Sequence, residues 1–271
     1  MGYIATEICG LPVYTYGLLL LGVLLVGMVA AWVNLRLHHQ AFAPVVDMLL
    51  WGLPLAAIFG HAGYVLSHFD EYAGNLLGVL CIWQGGLSFY GAIFGGLLAV
   101  FGVCRVQGRH TWRWLDLLVP AFVLMLALYE FGIFDLQLTM GMPLPRDLPN
   151  DHTLVEYAEF AYRPDGFQDT EYFQPIALYQ SGLQLVVAVL LTVLTAVQAL
   201  WHRPRQSGCL FLFGASLIAF IRFGCGFFYL SNAPVPAFTL GQVLSGGLGL
   251  VLLGWLLVRC RSVSCAQEWR V

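Results

Sequence analysis

The 271-residue chain is 59% hydrophobic and only 10% charged, and its mean hydropathy is +0.78. Soluble globular domains carry about 25% charged residues, so this composition excludes a soluble domain and indicates a polytopic membrane protein. All twelve basic residues are arginine and the formal net charge is −3. A chain with a negative net charge is not expected to bind nucleic acid, which is recognised by strongly basic surfaces.

Seven stretches are long and apolar enough to cross a bilayer, which takes about 20 mostly apolar residues. They are predicted at about 15–34, 44–66, 84–104, 114–134, 176–200, 208–230 and 238–258. The predicted fold class is therefore an all-α polytopic membrane protein with seven transmembrane helices and a small extracytoplasmic head segment. The corresponding divisions are an outer N-terminal segment 1–14, helices 1–4 in 15–134, the head segment 135–175, helices 5–7 in 176–258 and a cytoplasmic tail 259–271.

The charges of the connecting segments alternate along the chain. Nine arginines follow the first, third, fifth and seventh stretches, whereas eleven acids and two arginines lie at the opposite ends. Because arginine and lysine are retained on the cytoplasmic side, the N-terminus is predicted outside and the C-terminus in the cytoplasm. The N-terminus lacks a basic n-region, so no cleavable signal peptide is expected. The seven cysteines show no CxxC pair and no metal-ligand spacing, so neither a metal site nor a cofactor is predicted.

Arg222 is the single charge in the apolar run from Gly208 to Leu230. A guanidinium at membrane depth costs at least about 2.5–3.5 kcal/mol, and it does not lose its proton. It therefore needs an anionic partner, either a carboxylate or a ligand, and is the first functional-site candidate. Glu130 is expected at a similar depth in the fourth stretch. Structural pairing with Arg222 and ligand binding both stay open for Glu130.

Other polar groups within apolar runs are His61, Tyr16 and Gln242. Asp47 and Asp116 fall close to the predicted cytoplasmic side, where near-interface caps or pairs explain them. Small residues cluster from position 83 to position 96, and glycine lets either a second backbone or a lipid head group approach closely. Tight helix packing and lipid contact are both open for this cluster.

Seven motifs occur in order along the chain: TYGL at 15–18, GHAGYVL at 60–66, IWQGGLSFYGAIFGG at 82–96, DLLVP at 116–120, QPIALYQS at 174–181, IRFGCGFFYL at 221–230 and TLGQVLS at 239–245. In these motifs the chain resembles the prolipoprotein diacylglyceryl transferase family over about residues 14–258. The resemblance implies a multi-pass enzyme of the bacterial cytoplasmic (inner) membrane that moves diacylglyceryl from phosphatidylglycerol to a lipobox cysteine. A phosphatidylglycerol-like phospholipid and a prolipoprotein signal peptide are the implied partners.

Several positions depart from the family pattern. Tyr90 stands where the family has an essential histidine, and Glu130 falls at an arginine position of the fourth span. Arg222 matches the family's arginine in the sixth span, but Gly226 and Tyr229 replace the glutamate and arginine that follow it. Two arginine side chains suit a phosphodiester, because each guanidinium can bind it through two parallel N–H groups. In this chain a carboxylate therefore replaces one of the two arginines.

The predicted catalytic residues are Arg222, for phosphate, and Tyr16 or Tyr90, for proton handling. The predicted lipid-binding residues are polar or small residues of the same motifs: Glu130, Gln84, Gly85, Gly86, Ser88, Gly91, His61 and Gln242. Three functions stay open. They are an active transferase with a rebuilt site, a catalytically inactive paralogue that binds lipid or lipoprotein, and a membrane enzyme that acts on a different lipid head group.

Overall fold

The computed structural model describes residues 4–8, 11–72, 76–82, 85–144, 155–164, 166–201, 206–230 and 239–268. Within these residues, seven helices are long and apolar enough to cross a membrane. This finding confirms the predicted all-α polytopic class. The helices are α1 Thr15–Leu37, α2 Ala43–Ser67, the short α3 Phe69–Tyr72, α4 Phe89–Val106, α5 Thr111–Asp135, α6 Ile176–Trp201, α7 Cys209–Cys225 and α8 Leu240–Glu268.

The third spanning helix, α4, begins at Phe89 and not at the predicted position 84. Gly85 and Gly86 have φ values of 95° and 79°. These angles lie in the left-handed region, which a right-handed helix cannot continue through. Residues 85–88, directly before α4, are therefore not helical, and a short 3-10 helix lies earlier at Leu76–Leu80.

Two antiparallel strand pairs accompany the helices. Strands β1 Ile4–Ile8 and β2 Leu11–Tyr14 pair just before α1. Strands β3 Glu156–Tyr157 and β4 Tyr172–Phe173 pair within the segment between α5 and α6. In that segment Met140, Ala158 and Phe173 form a small buried cluster that Phe167 covers.

The chain forms two compact units. The first unit comprises residues 1–34 and 116–271, and the second comprises residues 35–115. In the first unit, the Nδ2 group of Asn34 donates to the Leu117 carbonyl at 2.6 Å and joins α1 to α5. Asp116 caps the start of α7 by accepting from the Gly208 and Phe211 N–H groups at 2.5 and 2.8 Å. Of the two roles predicted for Asp116, a cap or a pair, the structure therefore shows a cap.

In the second unit, α2 and α4 pack closely along a row of small residues. A Cβ atom added at Gly91 would collide with the Phe59 carbonyl, and one added at Gly95 would collide with the Leu55 carbonyl. The backbones of the two helices therefore touch directly, as small residues allow between membrane helices. Just after the C-terminal end of α4, Gln107 Nε2 donates to Asp47 Oδ2 at 2.7 Å, so of the cap or pair predicted for Asp47 the structure shows a side-chain pair.

Candidate functional site

Four side chains of the first unit form a connected polar group, called here the Glu130–Arg222 cluster. It contains Glu130 on α5, Gln180 on α6, Arg222 on α7 and Tyr229 just after α7. Arg222 Nη1 donates to Glu130 Oε1 at 3.2 Å. Gln180 Nε2 donates to the same carboxylate oxygen, and the Tyr229 hydroxyl donates to Gln180 Oε1 at 3.2 Å. Three helices thus converge on one carboxylate.

The two charges differ in their exposure. The Glu130 side chain is 6% exposed, whereas the Arg222 side chain is 25% exposed. A carboxylate enclosed in this way is costly unless a cation and hydrogen-bond donors satisfy it, and Arg222 and Gln180 do so. The structure thus pairs the two charges, which the sequence left as one of two alternatives. Of the two charged residues, Arg222 is therefore the more accessible to a ligand.

Tyr16 lies at the start of α1 and contacts the residue next to Glu130. Its hydroxyl is 3.3 Å from the Tyr129 hydroxyl, and the two rings meet edge to face. Tyr129 immediately precedes Glu130 in α5. The hydroxyl pair therefore adds two exchangeable protons beside the cluster.

Gln242 lies at the start of α8 and packs against the turn that follows α7. Its Oε1 accepts from the Thr239 N–H at 2.8 Å and from the Thr239 hydroxyl at 3.1 Å. A Cβ atom added at Gly226 would meet the Gln242 side chain. Gln242 therefore fixes both the beginning of α8 and the turn between Arg222 and Tyr229.

The remaining predicted residues lie in the second unit. Gly86 stacks closely on the Tyr64 ring, and the Ser88 N–H donates to the Gly60 carbonyl at 2.8 Å. His61 is 3% exposed, and its two ring nitrogens each lie 3.1 Å from a carbonyl oxygen, that of Gly86 just before α4 and that of Val79 in the 3-10 helix. Gly91 lies at the crossing of α2 and α4.

Tyr90 lies in the first turn of α4, and Gln84 falls outside the described residues. The half-buried Tyr90 ring meets the Phe89 ring edge to face, with the centroids 5.5 Å apart. The predicted site residues are therefore distributed over both units. Arg222, Glu130, Tyr16 and Gln242 belong to the first, and the others belong to the second.

Two residues of the cluster, Gln180 and Tyr229, were not predicted as site residues. The available signal was the pair Gln180 and Gln184, two amides one helical turn apart in an apolar helix, which therefore share a face. Gln184 is 0% exposed, and within the described residues neither atom of its amide has a hydrogen-bond partner. No group of three or more His, Cys, Asp or Glu side chains in the described part of the chain is arranged to hold a metal ion.

Comparison with known proteins gives a consistent result. The family model for prolipoprotein diacylglyceryl transferase matches residues 3–259. Relatives named phosphatidylglycerol–prolipoprotein diacylglyceryl transferase include one from Gloeobacter violaceus, 31% identical over 263 residues, which cover 94% of this chain and 93% of the relative. One from Nostoc sp. is 29% identical over 275 residues, covering 96% and 91%. One from Listeria welshimeri is 26% identical over 256 residues, covering 94% and 89%.

Proposed function

The chain belongs to the prolipoprotein diacylglyceryl transferase family, and we propose that it transfers a diacylglyceryl group from a phosphatidylglycerol-like phospholipid to the cysteine thiol of a prolipoprotein. The observation that carries the proposal is Arg222. Its guanidinium lies in an otherwise apolar span, it is held by Glu130, and a quarter of its side chain remains exposed. An arginine in this situation is suited to bind the phosphate of a lipid.

The reaction makes two chemical demands on the protein. A bond forms between the cysteine sulfur and a glyceryl carbon, and the bond between that carbon and a phosphate oxygen breaks. The thiol proton must leave, and the departing glycerol phosphate takes up both the bonding electrons and the proton. Charge that develops on the phosphate is stabilised by a cation placed beside it before the reaction. A nearby hydroxyl that relays the thiol proton would lower the barrier further.

Arg222 supplies the cation in this proposal, and Tyr16 supplies the hydroxyl within the same unit. The Tyr16–Tyr129 hydroxyl pair can pass a proton between its two oxygens without leaving an orphaned donor. Glu130 orients the guanidinium through Nη1. Tyr90, in the second unit, is a separate proposal for proton handling that rests on its place in the family motif.

The proposal is tested by complementing a bacterial strain depleted of its own transferase. The wild-type chain and the Arg105→Lys variant should restore lipoprotein maturation, because Arg105 lies exposed at the end of α4. Arg222→Lys keeps the charge and removes the planar fork, and we expect at least about tenfold lower transfer. Arg222→Ala should abolish rescue. Tyr16→Phe and Tyr90→His, assayed in purified protein, test the two hydroxyls one at a time.

Failure of the wild-type chain to rescue, with membrane insertion verified, would exclude the transferase. The second candidate function is binding of lipid or lipoprotein without transfer. The presence of Glu130 beside Arg222 favours this function. The carboxylate already holds Arg222, so the ionised cluster has no net charge and attracts a phosphate less strongly than a lone arginine. In this case wild-type protein would bind phosphatidylglycerol in nanodiscs and transfer nothing. A preference for an amine-bearing head group, lost in Glu130→Gln, would instead identify an enzyme of different lipid specificity.

The multi-pass chain is further proposed to lie in a bacterial cytoplasmic membrane with its N-terminus outside and its C-terminus in the cytoplasm. The charge bias of the connecting segments supports this orientation. It also assigns the segment 135–175 to the outer face and the tail 259–271 to the cytoplasm. Fusion of a reporter that is active only in the cytoplasm should give signal after position 271 and none after position 150. The reverse pattern would refute the orientation.

A further inference from the structure

Gln184 lies in the first half of α6 and is fully enclosed. The residue is 0% exposed, and in the described part of the chain neither its Nε2 nor its Oε1 has a hydrogen-bond partner. A buried polar group without a partner is costly, whereas an apolar side chain of the same shape would fill the position without that cost. The unpaired amide therefore points to a second arrangement of the site in which it is paired.

The position of Gln184 on α6 brings its amide close to the Glu130 carboxylate. Gln184 lies one helical turn from Gln180, on the same face, and Gln180 Nε2 donates to Glu130 Oε1. The next residue, Ser181, donates through Oγ to the Ala127 carbonyl at 2.8 Å, so contacts that advance along α6 go back along α5 and the two helices are antiparallel here. The Cα–Cβ bonds of a helix tilt towards its N-terminus. The bond of Glu130 therefore tilts towards the level of Gln184, and that of Gln184 towards the level of Glu130.

The Glu130 carboxylate needs a further partner when Arg222 binds a ligand. Its two donors within the described residues are Arg222 Nη1 and Gln180 Nε2, and both bind Oε1. A guanidinium that turns to a phosphate leaves behind a side chain that is only 6% exposed and retains one neutral donor. An enclosed carboxylate is costly with so few partners. The arrangement with Arg222 on a phosphate therefore lacks a hydrogen-bond partner, and the arrangement with Arg222 on Glu130 leaves one unused.

We propose that Gln184 is a positioning residue whose amide pairs with Glu130 when Arg222 leaves that carboxylate to bind a lipid phosphate. The proposal rests on the phosphate-binding role proposed for Arg222. Gln184 offsets part of the cost of separating the two charges and so raises the affinity for the phosphate. An amide donates to a carboxylate and accepts from a carboxylic acid, so this role holds whichever form Glu130 takes after the separation.

The first measurement is the melting temperature of the full-length protein in maltoside micelles, which contain no phosphate. Gln184→Met keeps the length of the side chain and removes both polar atoms. Because it removes an unpaired amide, the melting temperature should rise by about 2–4 °C. Gln180→Met removes an amide that is paired with both Glu130 and Tyr229, so it should lower the melting temperature. Gln198→Met is the matched control, since it changes a half-buried amide near the other end of α6, and it should leave the melting temperature nearly unchanged.

The second measurement is the affinity for dioctanoyl phosphatidylglycerol, by isothermal titration calorimetry in the same micelles. Gln184→Met should bind this lipid about tenfold more weakly than the wild type, because the enclosed carboxylate loses one hydrogen bond in the bound arrangement. Gln198→Met should bind it as the wild type does. In a Glu130→Gln background the effect of Gln184→Met should shrink to less than about threefold, because an uncharged side chain at position 130 depends less on the second amide. This dependence on Glu130 distinguishes positioning of the carboxylate from a general effect on packing.

A second apolar variant, Gln184→Leu, guards against an accident of shape. A lower melting temperature in both variants, or misfolding of both, would show that the amide is already paired and would overturn the proposal. An unchanged lipid affinity, or the same loss of affinity with and without the Glu130 carboxylate, would overturn it as well. Transfer assays on the same samples separate this proposal from the proposed function. A wild type that binds the lipid with the expected dependence on Gln184 but transfers nothing refutes only the transferase. A wild type that transfers without that dependence refutes only the role of Gln184, and one that does not bind the lipid refutes both.

Discussion

Removal of either member of the Glu130–Arg222 pair should destabilise the protein, and by unequal amounts. Two unit charges 3.2 Å apart attract by about 5 kcal/mol at an effective dielectric constant of 20. Desolvation of both groups offsets much of this attraction. Mutually contacting charges typically retain a coupling energy of about 0.5–3 kcal/mol. We therefore expect a coupling free energy of about 2 kcal/mol between the two side chains.

The inequality follows from the different exposure of the two groups. Arg222→Gln leaves an enclosed carboxylate without its cation, and we expect a loss of about 3–5 kcal/mol in the free energy of unfolding. Glu130→Gln leaves an arginine whose side chain is 25% exposed and is therefore less enclosed than the Glu130 carboxylate. Glu130→Gln should therefore lower the free energy of unfolding by only about 1–2 kcal/mol. The double variant should lose less than the sum of the two single losses.

The assay is a double-mutant cycle on unfolding free energy, measured by steric trapping in bicelles at one fixed pH. A control cycle combines Glu130→Gln with Arg163→Gln. Arg163 donates to the backbone carbonyls of Ala158 and Gln168 in the segment between α5 and α6, so this cycle should be additive. Additive losses in the main cycle, or a larger loss for Glu130→Gln than for Arg222→Gln, would refute the pairing.

Three further predictions concern parts of the structure outside the cluster. Glu156 is buried and no described residue partners its carboxylate, and desolvation raises its pKa from 4.5 to about 7. Burial disfavours the ionised form of Glu156, so its folded pKa lies above the unfolded value. The free energy of unfolding is therefore highest below about pH 4.5 and falls, by an amount of the order of 2–3 kcal/mol, as the pH rises through about 7. The melting temperature should therefore fall from pH 5 to pH 8 in the wild type and stay level in Glu156→Gln; a level wild-type profile would contradict this. Asp116→Ala should lower the free energy of unfolding by about 1 kcal/mol through loss of the α7 cap, and by more than Asp47→Ala, whose carboxylate pairs with a side chain. Gly91→Ala should be strongly destabilising in thermal unfolding because its methyl group would enter the backbone of α2, whereas Gly96→Ala, with nothing near the added methyl, should be neutral or slightly stabilising. Equal effects at the two glycines would refute the close crossing.

The architecture follows from the sequence because it depends on one large contribution to the free energy, the transfer of apolar runs from water into a bilayer. That contribution identifies all seven spanning helices but carries no information on backbone angles. Prediction therefore placed the start of α4 too early, in a stretch where Gly85 and Gly86 have positive φ. The short strands β1 and β2 were not predicted either, since strands of this length give little periodic signal.

The site was predicted only in part, for a different reason. Charges are rare in membrane spans, so the depth of Arg222 and Glu130 alone suggests that they meet. Gln180 and Tyr229 are neutral and have many alternative partners in principle. Their inclusion depends on the rotation of α6 and on the turn after α7, which hydropathy does not determine. His61 shows the same limit, because its two partners are backbone carbonyls, of Val79 and Gly86, whose positions cannot be read from side-chain types.

The orientation of the Gln180 amide decides what Glu130 does when a phosphate arrives. The Tyr229 hydroxyl donates to Gln180 Oε1, so Gln180 presents its Nε2 to the Glu130 carboxylate. The carboxylate is thus held by a second donor when Arg222 turns towards a ligand. A lipid phosphate must compete with Glu130 for the guanidinium, and Glu130 lowers phosphate affinity while it stabilises the fold. Glu130→Gln should therefore weaken the fold and strengthen binding of phosphatidylglycerol. If Glu130 only completed the packing, Glu130→Gln would lower both the free energy of unfolding and the affinity for phosphatidylglycerol. A lower stability together with a higher affinity would show that Glu130 also tunes lipid binding.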